Sequence, residues 1–168
     1  MMNTSVASTT TAQKKEITDI SSMLLLLEDR YLLLPGVTVA EIVTFVPPEA
    51  EYNEETPPWF LGYIYWRNQR LPLVSYEAML GGGVPQVSSH CRIAVMNNAG
   101  LSHQLPFFAL LLQATPRLLR LAPEEVSVGE EKIINPGEMM HVHVVGEEAT
   151  VPDIVFIERN IIDYLEIS

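Results

Sequence analysis

The stretch "FLGYIYWRNQRLPLVSYEAML" (Phe60–Leu80) decides how the rest of the chain is read. Two apolar runs, Phe60–Trp66 and Leu71–Val74, meet at a short polar interval holding Arg67 and Asn68, which is the pattern of a hairpin. The "YEAML" that follows reads as a brief helix, stopped by the glycines at 81–83. The stretch leaves one question open: whether Arg67 works at that tip or only turns the chain.

Upstream, "MLLLLEDRYLLLPG" (23–36) sets two Leu-rich runs around Glu28, Asp29 and Arg30, the pattern of two strands joined by a tight polar turn. A helix over Met23–Leu34 would place those three charges mid-element and then meet Pro35-Gly36 at once. "VTVAEIVTF" (37–45) holds a helical turn before the next strand, and the Pro- and Glu-rich "VPPEAEYNEETPPW" (46–59) is a surface loop. The glycines at 81–83 are read as closing the first half of the chain.

Downstream the order of elements recurs. "CRIAVMN" (91–97) and "LPFFALLLQ" (105–113) are expected to form another hairpin, followed by the proline-punctuated, acidic "ATPRLLRLAPEEVSVGEE" (114–131). "EMMHVHVVG" (138–146) and "DIVFIE" (153–158) read as further strands, and "NIIDYL" (160–165) as a short terminal helix. Many short strands with few long helices suggest barrels or a sandwich. Residues 1–20, rich in Ser, Thr, Lys and Glu, are expected to be a mobile tail, and residues 21–168 a single domain.

With 168 residues, 48% of them hydrophobic and 18% charged, the chain can fold around its own core. Its net charge of −11 repels phosphate backbones and anionic lipid, so no nucleic-acid partner is expected. One cysteine, Cys91, and no apolar signal-peptide core point to a cytoplasmic setting. The apolar runs fall short of the ~20 residues a membrane-spanning helix needs, so membrane association is expected only indirectly, through a partner.

No catalytic set is evident. His141 and His143 share one face of a strand by its period of two and could ligate a metal, the basis of an alternative reading as a metal-dependent enzyme. No paired cysteines or helical His-Glu-x-x-His spacing support it, and the histidines read better as the solvent side of a strand whose other face carries Val142 and Val144. No Gly-rich phosphate loop precedes a helix, and no serine sits in a nucleophile elbow. The run Trp59, Phe60, Tyr63, Tyr65 and Trp66 ends at Arg67, residue types that dominate protein–protein hot spots but also fill barrel cores.

The pattern "PPWFLGYIYWRNQRLPLVSYEAML" resembles the signature of the CheW-like domain, with Gly62, Arg67, Pro72 and Val74 on matching positions. Trp66 stands where Leu is common, Tyr65 replaces an Asn, and Asn68 replaces a Gly while remaining a side chain that tolerates left-handed geometry. "LLLLEDRYLLLPGVTVAEIV" is similar to the family's opening hairpin and its Val-x-Glu segment, which places Val39 and Glu41 on that motif. "LPFFALLLQATPRLLRLAPEEV" and "DIVFIERNII" extend the likeness, although Gln113-Ala114 and Ile157-Glu158 replace the usual Val-Asp and Leu-Asp.

The resemblance implies a mainly β, CheW-like fold of two small five-stranded β-barrel subdomains with short helices, interleaved in one domain. It implies a non-enzymatic adaptor without a cofactor. Such an adaptor couples the cytoplasmic domain of a chemoreceptor to the regulatory domain of a CheA-type histidine kinase at inner-membrane receptor arrays. In character the chain is similar to accessory CheW-like proteins of type IV pilus chemosensory systems, which act in twitching motility. Val39, Glu41, Gly62, Arg67 and Asn68 are the partner-binding residues carried over. The alternative for Glu41 and Arg67 is an internal ion pair.

Overall fold

The computed structural model describes residues 19–130 and 134–167. Residues 1–18, most of the segment expected to be a mobile tail, lie outside the described residues; the first strand already includes Ile20. Along the chain run β1 (Ile20–Leu26), β2 (Tyr31–Pro35), β3 (Val39–Thr44), β4 (Phe60–Trp66), β5 (Gln69–Val74) and α1 (Tyr76–Met79). Then come β6 (Arg92–Asn97), β7 (Phe107–Leu112), β8 (Arg117–Leu121), β9 (Val126–Val128), β10 (Glu138–Val144), β11 (Glu147–Pro152) and α2 (Ile154–Leu165).

The strands form two sheets, ordered β8-β1-β2-β11-β10-β9 and β3-β6-β7-β5-β4. The sixth strand of the larger sheet is the three-residue edge strand β9. The expected hairpins β1–β2, β4–β5 and β6–β7 all pair antiparallel, and a single 3₁₀ turn over Gly36–Thr38 precedes β3.

The lobes are not the two halves of the chain. The five-stranded lobe is continuous from β3 to β7, while the six-stranded lobe is assembled from β1–β2 and β8–β11. The glycines at 81–83, expected to close the first half, therefore lie inside the five-stranded lobe. Their local task is to end α1: Gly81 has φ +97°, and the Gly82 N–H donates to the Glu77 carbonyl at 2.9 Å.

Two further expectations are corrected. "DIVFIE" is the start of α2, not a strand, because Asp153 caps a helix: its Oδ1 accepts from the Phe156 N–H at 3.2 Å. Ile157 and Ile161, one turn apart, are fully buried. The strand before it is instead "EEATVP", β11. The stretch 114–131, described from the sequence only as proline-punctuated and acidic, carries β8 and β9; both are edge strands with mostly exposed side chains, so they lack the apolar signal of a buried strand.

Three clusters make the interior. Leu71, Leu73, Ile93, Val95 and Leu111 fill the five-stranded lobe, and Leu24, Leu33, Val142 and Val144 fill the six-stranded one. Between the lobes pack Leu25, Leu32 and Leu34 against Ala94, Met96, Phe108, Leu110 and the Ile157–Ile161 face of α2. Neighbouring residues in β6 and β7 thus face different cores. That is why these strands read as unbroken apolar runs. Each such buried aliphatic side chain contributes roughly 1.5–3 kcal/mol of transfer free energy.

Candidate functional site

β3 and β4 are the two outer strands of the five-stranded sheet, yet their side chains meet. The indole Nε1–H of Trp66, last residue of β4, donates to Oε2 of Glu41 on β3. Nη2 of Arg67 lies 3.7 Å from Oε1 of the same carboxylate, and the Arg67 guanidinium carbon sits 4.8 Å from the centre of the Trp66 ring. The sheet has curled until its edges are bridged by side chains rather than by a backbone ladder. Trp66 is buried and edge-on to Phe107, with ring centres 4.9 Å apart, whereas the Arg67 side chain is 68% exposed.

The hairpin tip explains why Arg67 projects. Trp66 pairs directly with Gln69, leaving a two-residue turn in which Arg67 has φ +48° and Asn68 φ +63°. Positive φ at both positions is the two-residue turn that matches strand twist. Asn tolerates it; at Arg67 the left-handed backbone costs on the order of 1 kcal/mol.

Of the five carried-over residues, Glu41, Arg67 and Asn68 gather at this tip, with Trp66 as the member that sequence reasoning placed only in an aromatic run. The signal that could have found it is the polar N–H of a buried indole beside a turn, a donor that needs a partner. Val39 and Gly62 lie elsewhere. Residues two apart on a strand normally share a face, but a register shift between Val39 and Glu41 lets Val39 pack on the inter-lobe core while Glu41 reaches the seam. Gly62 is buried under the loop before β4, where Glu49 and Tyr63 exchange backbone hydrogen bonds of 2.8 and 2.7 Å.

A model of the CheW-like domain family matches residues 21–149, well over half of the chain. The chain belongs to the CheW-like domain family. Among solved structures, the scaffolding protein TtCheW from Thermoanaerobacter tengcongensis is similar, with a TM-score of 0.65 and 15% identity. That likeness, which is one of fold, covers 84% of this chain and 89% of that one. No curated protein matches the chain.

The rest of the polar interior of this CheW-like domain is structural. In the six-stranded lobe, Glu138 accepts from Arg30 Nη1 at 2.6 Å and from the Asn135 N–H at 3.1 Å, and its Oε2 lies 3.0 Å from His141 Nε2. Burial pushes the Glu138 carboxyl up, but these three partners outweigh it and hold the group below the usual glutamate range. His141 is thus engaged with Glu138, while His143 faces solvent and Val142 and Val144 face the core. Among the described residues, no group of three or more His, Cys, Asp or Glu side chains could hold a metal ion, so nothing in the site favours the metal-enzyme alternative.

Glu77 and Tyr76 of α1 tie the lobes together. Glu77 accepts from the Glu28 N–H at 2.9 Å and from Ser75 Oγ at 3.1 Å, and the Tyr76 hydroxyl donates to the Gly137 carbonyl at 2.8 Å. In α2, fully buried Glu158 accepts from the Ala99 N–H. Its pKa is raised, chiefly by burial. No helix among the described residues is long and apolar enough to cross a membrane.

Proposed function

We propose that this CheW-like domain couples the cytoplasmic domain of a chemoreceptor to the regulatory domain of a CheA-type histidine kinase. The observation that carries the reading is the Arg67 guanidinium, displayed at a rigid two-residue turn, largely exposed, and held by Glu41 only at 3.7 Å. A planar fork of donors in that position suits a carboxylate on a receptor helix. Asn68 shares the tip, and Glu41 orients the cation. Val39 contributes an apolar contact at the lobe boundary, and Gly62 acts through the backbone by letting the loop before β4 lie close.

The test is capture of the full chain by a receptor cytoplasmic fragment. Arg67→Glu is expected to weaken binding by more than tenfold through like-charge repulsion at the contact. Equal capture of wild type and variant removes Arg67 from the interface. A parallel capture by the kinase regulatory domain tests the second partner.

The setting we infer is a type IV pilus chemosensory system, with the adaptor cytoplasmic and recruited to inner-membrane receptor arrays. The support for this reading is the chain's departure from the common family pattern at Tyr65, Trp66, Asn68, Gln113-Ala114 and Ile157-Glu158, which makes it a divergent member similar in character to the accessory ones. Deletion of the gene is expected to alter the spreading of twitching colonies while leaving swimming intact. The opposite pattern would move the protein to a flagellar pathway.

A further inference from the structure

The outer face of the β4–β5 hairpin carries a second arginine, Arg70. The strand register pairs it with Tyr65 and sets Tyr63 on its diagonal, and the Arg70 guanidinium carbon lies 3.6 Å from the centre of the Tyr63 ring. Stacking at that distance restrains the side chain without using its N–H groups. Among the described residues, no hydrogen bond or ion pair engages the Arg70 guanidinium. Arg70 lines a cavity of about 300 Å³ whose floor is aromatic. Buried Phe60 packs edge-on to Tyr63 with ring centres 5.2 Å apart, and against Tyr164 of α2 at 5.0 Å.

The other charged group on this cavity is Glu51, which pairs with neither Arg70 nor any other described residue. Its stretch of loop is tied to β4 on both sides. Glu49 and Tyr63 exchange backbone hydrogen bonds, and the Tyr52 hydroxyl donates to the Leu61 carbonyl at 3.1 Å. Asn53, also on the cavity, accepts from the Glu55 N–H through Oδ1 at 2.8 Å, which leaves its amide N–H₂ as a donor. A plain anion entering here would meet Glu51, and a plain cation would meet Arg70; a zwitterion satisfies both. The small volume and the apolar floor with a few polar groups fit a small molecule rather than a folded partner.

We propose that this cavity binds a free α-amino acid with a large apolar side chain. Arg70 and Asn53 take the carboxylate, Glu51 takes the ammonium, and the side chain rests on the aromatic floor. A residue inside a peptide offers neither charge and does not fit the same way. The site does not involve Glu41, Trp66 or Arg67, so it stands whether or not the hairpin tip meets a receptor.

The test is a titration of the full chain with L-phenylalanine, followed by backbone amide NMR shifts. Saturable shifts are expected at residues 49–53, in β4–β5 and at the end of α2, with a Kd on the order of 1 mM. No saturable shift at about 20 mM, or shifts confined to other regions, overturns the proposal. On the unaltered chain, 3-phenylpropionate lacks the ammonium and phenethylamine lacks the carboxylate; each is expected to bind about tenfold more weakly. Either one binding as tightly as phenylalanine overturns the zwitterion reading, and glycine binding as tightly overturns the role of the floor. Arg70→Gln and Glu51→Gln are each expected to weaken phenylalanine about tenfold while keeping the amide spectrum of the folded chain. Unchanged affinity in a folded variant overturns the site, and if a variant does not fold, the ligand comparisons on the unaltered chain decide.

Discussion

At Gly62 the chain has no room for a side chain. A Cβ built there would lie 2.5 Å from the Glu49 carbonyl oxygen and 3.1 Å from Pro48 Cβ, and the backbone sits at φ +123°. Gly62→Ala should therefore unfold the loop crossing or strain β4, a loss of about 2–4 kcal/mol in denaturant titrations. A change below about 0.5 kcal/mol would show that the loop can lift away without consequence. The position was legible in the sequence only as a glycine inside a strand, since the loop that covers it comes from residues 48–49 and leaves no local trace. The hairpin tip was more legible. Arg67-Asn68 between two apolar runs is a two-residue turn in both readings, and the pairing of Glu41 with Arg67 was one of two alternatives left open. The indole that donates to the Glu41 carboxylate was not visible, because nothing local brings β3 to β4 across an open sheet edge.

Helix α2 shows how an element can be mistaken when its face is narrow. Ile154, Val155, Phe156 and Ile157 form an unbroken apolar run that suits a strand, and the deciding feature is the cap at Asp153 rather than the apolar residues themselves. β8 and β9 were missed for a related reason: an edge strand buries little, so Arg117, Arg120 and the flanking prolines outweighed its weak alternation. Once α2 is placed, Glu158 becomes its most testable residue. Its raised pKa means the folded chain holds a proton that the unfolded chain releases, so stability falls as pH rises from 4.5, the ordinary glutamate value, through the folded value. Glu158→Gln keeps an acceptor for the Ala99 N–H and should remove that decline. Chemical denaturation of both proteins between pH 4 and pH 8 is expected to show a flatter curve for the variant, and parallel curves would mean Glu158 titrates normally.

Across the whole molecule, one shared core and the polar ties of Tyr76 and Glu77 fix how the lobes sit together. Glu138 has the opposite sign to Glu158: its lowered pKa contributes stability that is complete above 4.5 and is lost as pH falls through the folded value. Glu138→Gln should shorten the acid limb of the stability profile, and an unchanged limb would assign acid sensitivity to other groups. The two-lobed plan with a shared core was legible through the family pattern, but the division into chain halves was not, because a lobe built from both ends of the chain leaves no boundary signal in the middle. That arrangement has a consequence for synthesis. β3 to β7 emerge from the ribosome in order and can pair as soon as Leu112 is out, so the five-stranded lobe can fold on the nascent chain. The hairpin β1–β2 has both its outer edges waiting for β8 and β11, and although its Leu25, Leu32 and Leu34 face can pack on β6 and β7, its Leu24 and Leu33 face stays uncovered until the last third of these residues arrives. In a cell, β1 and β2 are the strands of this domain most in need of a chaperone.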